Sequence, residues 1–159
     1  PLILVGSSMG GWIALLVARA LAARGEAARL AGMVLIAPAV DFTEELMWAG
    51  MSQDVRDEIM AKGVWHEPSD YSPEPNPITR ILIEEGRSHL LFGAPIRTHC
   101  PVHILQGMKD PDVPWRQAQK LFERLNADPA VISYVKDGDH RLSREDDLRL
   151  LIAAVEAVA

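Results

Sequence analysis

Apolar residues fall along this chain in two rhythms. Short apolar runs occur at Leu2–Val5, Met33–Ala37, Val102–Gln106 and Val131–Lys136, bounded by glycine, proline or charged residues. Runs of this length suit strands buried on both faces, as in a parallel sheet. Longer segments between them carry helical signals. Gly11–Arg24 is rich in alanine, leucine and arginine, and Gly25 is placed to stop it. Trp115–Asn126 predicts a second helix, with Pro114 near its first turn. Ser143–Val158 predicts a third. There Ser143 is the expected N-cap, Glu145, Asp146 and Asp147 fill the first turn, and Leu148, Leu151, Ile152 and Val155 form the expected core stripe. Strands alternating with helices predict βαβ units, an α/β fold and a parallel sheet.

The alternation breaks from Asp41 to about Pro101, where no strand-like run is found. Phe42–Met51, Ser52–Ala61 and Ile78–Leu91 have helical composition, and Ser69–Pro77, proline-rich and polar, is expected to be a loop. Three segments follow: residues 1–40, the first strand, helix and next strand of the core; 41–100, a helical cap or lid inserted between strands; and 101–159, the returning core. The chain opens directly on an apolar run, so it is expected to be a piece of a longer protein whose earlier strands and any leader precede it. The compartment is correspondingly open: cytoplasmic, or mitochondrial if a leader precedes.

Charge and composition narrow the function. The 22 acidic and 16 basic residues give a net charge of −6, which argues against nucleic acid as a partner. A single cysteine, Cys100, forbids an internal disulfide and fits a reducing compartment. No apolar run is long enough for a transmembrane segment; Trp12–Ala23 is interrupted by Arg19.

The chemistry begins where the first strand runs into Gly6-Ser7-Ser8-Met9-Gly10. This is G-x-S-x-G between a strand and a helix, a turn that lifts a serine hydroxyl above the sheet. Ser8 is the candidate nucleophile, with Ser7 outside the central position. Gly6 and Gly10 are expected to remove side chains that would clash across the turn. The Met9 N–H, at a helix N-terminus, is a candidate oxyanion donor. The alternatives are a glycine-rich packing turn or a phosphate loop, and the latter lacks the Lys-Ser or Lys-Thr pair it needs.

A serine nucleophile requires a base and an acid that orients it, in the chain order serine, acid, histidine for this turn type. The third core strand ends in Gly107-Met108-Lys109-Asp110-Pro111-Asp112-Val113-Pro114, matching G-x-x-D-x-x-V-P. Asp110 is the favoured acid, and Asp112 is expected to cap a helix. His140 follows the fourth strand in Asp139-His140-Arg141, where the base belongs. Asp139 is expected to have a surface role. His66 and His89 lie in the cap, and His99, Cys100 and His103 have no standard zinc spacing, so no metal site is expected. The mechanism requires no cofactor.

Together these motifs identify the chain as a member of the α/β-hydrolase superfamily, comprising the C-terminal half of its parallel sheet with a helical cap. Further stretches narrow the resemblance: GSSMGGW at Gly6–Trp12, KGVW at Lys62–Trp65, GMKD at Gly107–Asp110, VPW at Val113–Trp115 and DHR at Asp139–Arg141. Over nearly the whole chain they resemble the mitochondrial palmitoyl-protein thioesterases that also cleave the acyl glucuronide of mycophenolic acid. That resemblance implies a small-molecule or acylated substrate, cleaved as an ester or thioester by Ser8, Asp110 and His140. Amide, peptide or lactone cleavage, or a non-catalytic binding fragment, are the alternatives. A second oxyanion donor is expected outside this chain, in the strands that precede it. Trp48, Met51 and Trp65 in the cap, with Leu46 and Met47, are candidates to line an acyl pocket, though such residues more often form lid core. Arg141 is a candidate contact for an anionic substrate.

Overall fold

The computed structural model describes residues 1–68 and 73–159. In chain order its elements are β1 Leu2–Ser7, α1 Met9–Ala23, β2 Leu30–Ile36, α2 Gln53–Lys62, β3 Val64–Glu67, β4 Asn76–Thr79, α3 Arg80–Arg87, β5 Val102–Gly107, α4 Trp115–Arg124, β6 Ala130–Val135 and α5 Glu145–Ala157. They fall into two compact units, residues 1–40 with 91–159, and residues 41–90.

The first unit is built on a four-stranded sheet of order β1-β2-β5-β6, parallel throughout, as the alternating pattern predicts. Leu35 pairs with Ile104, and Leu105 with Ser133. Because every strand points the same way, the loops after β1, β5 and β6 all leave from one edge. β2 and β5, in the middle, are buried along almost their whole length. Val34, Ile36, Leu105, Leu142, Ala154 and Val158 form the core between the sheet and α5, with Ile3, Val135, Leu150, Leu151 and Val155 packed against them. Residues 91–100, expected in the cap, belong to this unit instead. Leu91, Phe92 and Ile96 are buried. The Ile96 N–H donates to Arg124 O (2.9 Å), and Asp128 accepts from the Thr98 and His99 N–H groups.

Two expectations for α5 are corrected. Arg144, not Ser143, is its N-cap. Of the expected core stripe, Leu151 and Val155 pack against the core, but Leu148 (45%) and Ile152 (59%) are exposed while Asp147 is 3% exposed. Apolarity alone does not separate the two pairs. Asp147 faces inward because its carboxylate accepts from the Arg144 backbone N–H (3.1 Å), from Nε (2.8 Å) and from Nη2 (2.9 Å). Ala154, small and buried, lets the helix approach the sheet.

The second unit has its own small core of Ile59, Ile78 and Ile83, with Met47, Trp48, Met51, Val55 and Trp65 around it. A π-helical stretch covers Thr43–Trp48, and α2 starts on a Ser52 cap whose Oγ accepts from Val55 N–H (3.3 Å). The segment is not purely helical. β3 and β4 pair antiparallel, Trp65 opposite Ile78 and His66 opposite Pro77. Ile78 and Thr79, expected in a helix, lie in β4, and α3 begins only at Arg80, capped by Thr79 Oγ1 (3.1 Å from Leu82 N). Strands of four residues containing His66, Glu67, Asn76 and Pro77 have little β propensity, and their pairing supplies what composition does not. Of the expected Ser69–Pro77 loop, residues 69–72 lie outside the described residues. No helix among the described residues is long and apolar enough to cross a membrane.

The Arg144 guanidinium holds the Asp147 carboxyl below the usual carboxylate range. A depressed folded-state pKa stabilises the fold above the ordinary carboxylate range, and the contribution is lost as pH falls through the depressed value. Urea unfolding should therefore find Asp147→Asn about 1.5–3 kcal/mol less stable at neutral pH, from losing charge-assisted hydrogen bonds. The gap to wild type should narrow as the solution is made strongly acidic; a constant gap would rule out the ion pair as its source.

Candidate active site

β1 hands the chain to Ser8, and α1 begins at the next residue. Ser8 sits at φ 54°, ψ −120°. That conformation costs on the order of 1–3 kcal/mol and persists only where the surroundings impose it. Here Ser8 N–H donates to Ile36 O (2.8 Å), and Ser8 O accepts from Gly11 N–H and Ala39 N–H, both at 3.0 Å. The turn is closed by missing side chains. A Cβ at Gly6 would lie 2.3 Å from Gly10 O, and one at Gly11 2.9 Å from Pro38 Cβ. Gly10, expected to be sterically required, would have nothing within 4 Å of its Cβ. Gly6 is crowded by the backbone of the first turn of α1, and Gly11 because α1 passes close to Pro38. Met9 is the first residue of α1, so its N–H has no intrahelical acceptor.

The acid loop leaves β5 two strands away from β1. Asp110 has a fully buried side chain, 0% exposed, and both oxygens are occupied. Oδ1 accepts from Asp112 N–H (2.8 Å) and Val113 N–H (2.9 Å). Oδ2 accepts from His140 Nδ1 (2.8 Å) and Gln106 Nε2 (3.3 Å). Asp112 is exposed and does not cap α4, whose N-cap is Pro114. Pro114 fixes the first-turn geometry that a capping side chain would otherwise set.

The base loop leaves β6, the far strand, and is carried back across the end of β5. Met108 N–H donates to Val135 O and Lys109 N–H to Gly138 O, each at 2.9 Å. The crossing is so close that a Cβ at Gly107 would lie 2.3 Å from Asp139 O and 2.5 Å from Gly138 O. Asp139 is exposed, yet its Oδ1 accepts from Arg141 N–H (3.1 Å) and Leu142 N–H (3.0 Å), shaping the loop around His140. Leu142 takes φ 45° and is buried in the core. Burying such a side chain is worth about 1.5–3 kcal/mol, enough to offset that strain. Arg144 braces the loop's far side, Nη1 donating to Asp137 Oδ2 (2.6 Å) while the rest of the group holds Asp147.

These loops bring together Ser8, Asp110 and His140. His140 Nε2 lies 3.1 Å from Ser8 Oγ. An ionised carboxylate only accepts, so Nδ1 donates to Asp110 and Nε2 of the neutral ring is left to accept from the serine hydroxyl. Ser8, not Ser7, is the hydroxyl that meets the imidazole. Among the described residues, Asp110, Asp112 and His140 form the one group with possible metal-ligating atoms, all within 4.8 Å. Asp110's lone pairs already face four protein donors, so the cluster is built as a hydrogen-bond relay. His99, Cys100 and His103 are engaged separately. His103 Nε2 meets Ser133 Oγ (2.9 Å), burial pushes the Cys100 thiol pKa up, and His99 N–H is held by Asp128.

The remaining candidates have contacts of their own. Trp48, Met51 and Trp65 pack on the Ile59–Ile78–Ile83 core of their own unit, with Met47. Arg56 and Arg87 lie 5.4 and 4.9 Å from the Trp48 ring centre. Leu46 is half-buried in the same unit and Arg141 is exposed. Gln106, Asp139 and Arg144 carry contacts in or beside the relay that motif matching did not single out. The available signal for Gln106 was an amide at the buried end of an apolar strand.

The pattern of the Alpha/beta hydrolase family matches residues 1–154. The human protein named Palmitoyl-protein thioesterase ABHD10, mitochondrial, is 34% identical over 157 residues, 98% of this chain and 49% of the relative. The chain thus spans about half the length of the curated relatives it matches. Among solved structures, a putative hydrolase from Agrobacterium vitis S4 superposes with a TM-score of 0.89 at 50% identity, covering 98% of this chain and 60% of the other. Mouse alpha/beta hydrolase domain-containing protein 10 gives 0.82 at 35% identity, covering 99% and 61%.

Two glycine substitutions separate the sterics. Gly107→Ala should cost about 1–3 kcal/mol by overpacking and displace the base loop, lowering the rate of covalent labelling at Ser8. Gly10→Ala should be neutral or stabilising by up to about 1 kcal/mol. Thermal unfolding with labelling kinetics checks both; equal stability losses for the two would contradict the crowding described.

Proposed function

From its membership of the α/β-hydrolase family, to which this chain belongs, we propose that it carries the catalytic relay of an ester or thioester hydrolase. The observation behind the reading is the continuous hydrogen-bonded line from Asp110 Oδ2 through His140 to Ser8 Oγ, at 2.8 and 3.1 Å. In this reading His140 Nε2 takes the Ser8 proton as Oγ attacks the acyl carbonyl. Asp110 holds the ring in the tautomer that leaves Nε2 free and stabilises the imidazolium that forms. The Met9 N–H donates to the oxyanion, favoured by the α1 N-terminus. The imidazolium then protonates the departing thiolate or alkoxide, and water, deprotonated by the same nitrogen, releases the acid and restores Ser8. The thioesterase name of the matched relatives favours acyl thioesters, with oxygen esters alongside. A thiolate leaves more readily than an amine, so amides are the poorer substrates.

Fluorophosphonate labelling followed by intact mass and peptide mapping should give one adduct, on Ser8. Acyl thioesters and p-nitrophenyl esters should turn over, with matched anilides far slower. Ser8→Ala should lower kcat on the order of 10⁶-fold, and Asp110→Asn on the order of 10⁴-fold. Undiminished hydrolysis by Ser8→Ala would remove the nucleophile assignment.

A further inference from the structure

Gln106 is the last residue but one of β5 and is 0% exposed. Its Nε2 faces three acceptors: Gly107 O at 2.9 Å, Val113 O at 3.1 Å and Asp110 Oδ2 at 3.3 Å. An amide has two hydrogens, so one is shared between acceptors. The orientation of the amide is fixed by this surrounding, since turning it over would set Oε1 against three oxygens that can only accept. Oε1 itself has no hydrogen-bond partner among the described residues. A buried, unpaired carbonyl is costly, and leucine or methionine would fill the same space without it. The amide's N–H groups are what the position retains.

Those N–H groups tie the acid loop at its start, through Gly107 O, and at its end, through Val113 O. Between these ties they reach Asp110 Oδ2, the oxygen that also receives His140 Nδ1. The backbone N–H groups of Asp112 and Val113 fix Oδ1. With only those two, the carboxylate could still rock about them. The fourth donor fixes the plane of the group and so the direction along which Oδ2 meets the imidazole.

We propose that Gln106 is a positioning residue that acts through Asp110 to align His140 on Ser8. The proposal rests on the assignment of Ser8, His140 and Asp110 as the catalytic relay. Gln106 touches none of the reacting atoms, so its removal should slow acylation without weakening substrate binding.

The test is Gln106→Met, which keeps length and core volume, assayed with a p-nitrophenyl ester on the wild-type background and on Asp110→Asn. On wild type, kcat should fall on the order of 10²-fold, as misalignment of a catalytic group does, with KM within about twofold. On Asp110→Asn the same substitution should cost nothing further, because the residue works through that carboxylate. A wild-type kcat in a folded Gln106→Met protein overturns the proposal, as does an equal loss on both backgrounds. Gln106→Glu preserves the shape but offers at most one hydrogen, and should also lower kcat at constant KM. Failure of both variants to fold would likewise overturn the proposal, by making the amide a requirement of the fold. Ser8→Ala is the control that separates the two readings: if it remains active the relay assignment fails, and if it is inactive while Gln106→Met is fully active only the role of Gln106 fails.

Discussion

Ser8 holds a backbone conformation that a free chain would abandon, and the site depends on what keeps it there. Three backbone hydrogen bonds fix it: one to Ile36 at the end of β2, one from Ala39 just beyond, and one from Gly11 in α1. Two of the three reach across to the neighbouring strand and its loop. The hydroxyl is therefore positioned by the β1–β2 pairing more than by the five-residue motif around it. Gly6 and Gly11 matter because they let α1 and the loop carrying Pro38 come close enough for those bonds to form.

The position of His140 depends on equally close packing. Its loop starts on the strand farthest from β1 and reaches the serine by lying over Gly107, where even one methyl group would collide with backbone oxygens. Leu142 anchors one side of the loop in the core, Asp139 shapes its turn, and Arg144 links its beginning to α5 through Asp137 and Asp147. The loop carrying His140 is exposed in part but is tied down at each end.

What was legible in the sequence follows from where the forces are local. Buried strand runs announced the parallel sheet, since β2 and β5 must be apolar on both faces. That Ser8, Asp110 and His140 meet was legible because each follows a strand within a short motif. The segment 41–90 was less so: Asn76–Thr79 and Val64–Glu67 become strands only by meeting each other, and no local pattern foretells that partner. Only half of the apolar stripe expected on α5 faces the core for a related reason, because Asp147 turns inward only when Arg144 receives it. Gln106 escaped notice since an isolated glutamine carries no motif; its significance lies in three acceptors contributed by residues up to seven positions away.

Ser8 and His140 are 132 positions apart, and their meeting closes a very long loop of chain. Contacts of such separation repay their entropy only after much of the surrounding structure exists, which makes them late events in folding. A ribosome would release the serine, its strand and its helix well before it had made the histidine. During that interval the hydroxyl has no imidazole to meet it. Synthesis order thus separates the parts of the proposed relay in time, so that the hydrogen-bonded line is acquired with the native topology and not before it.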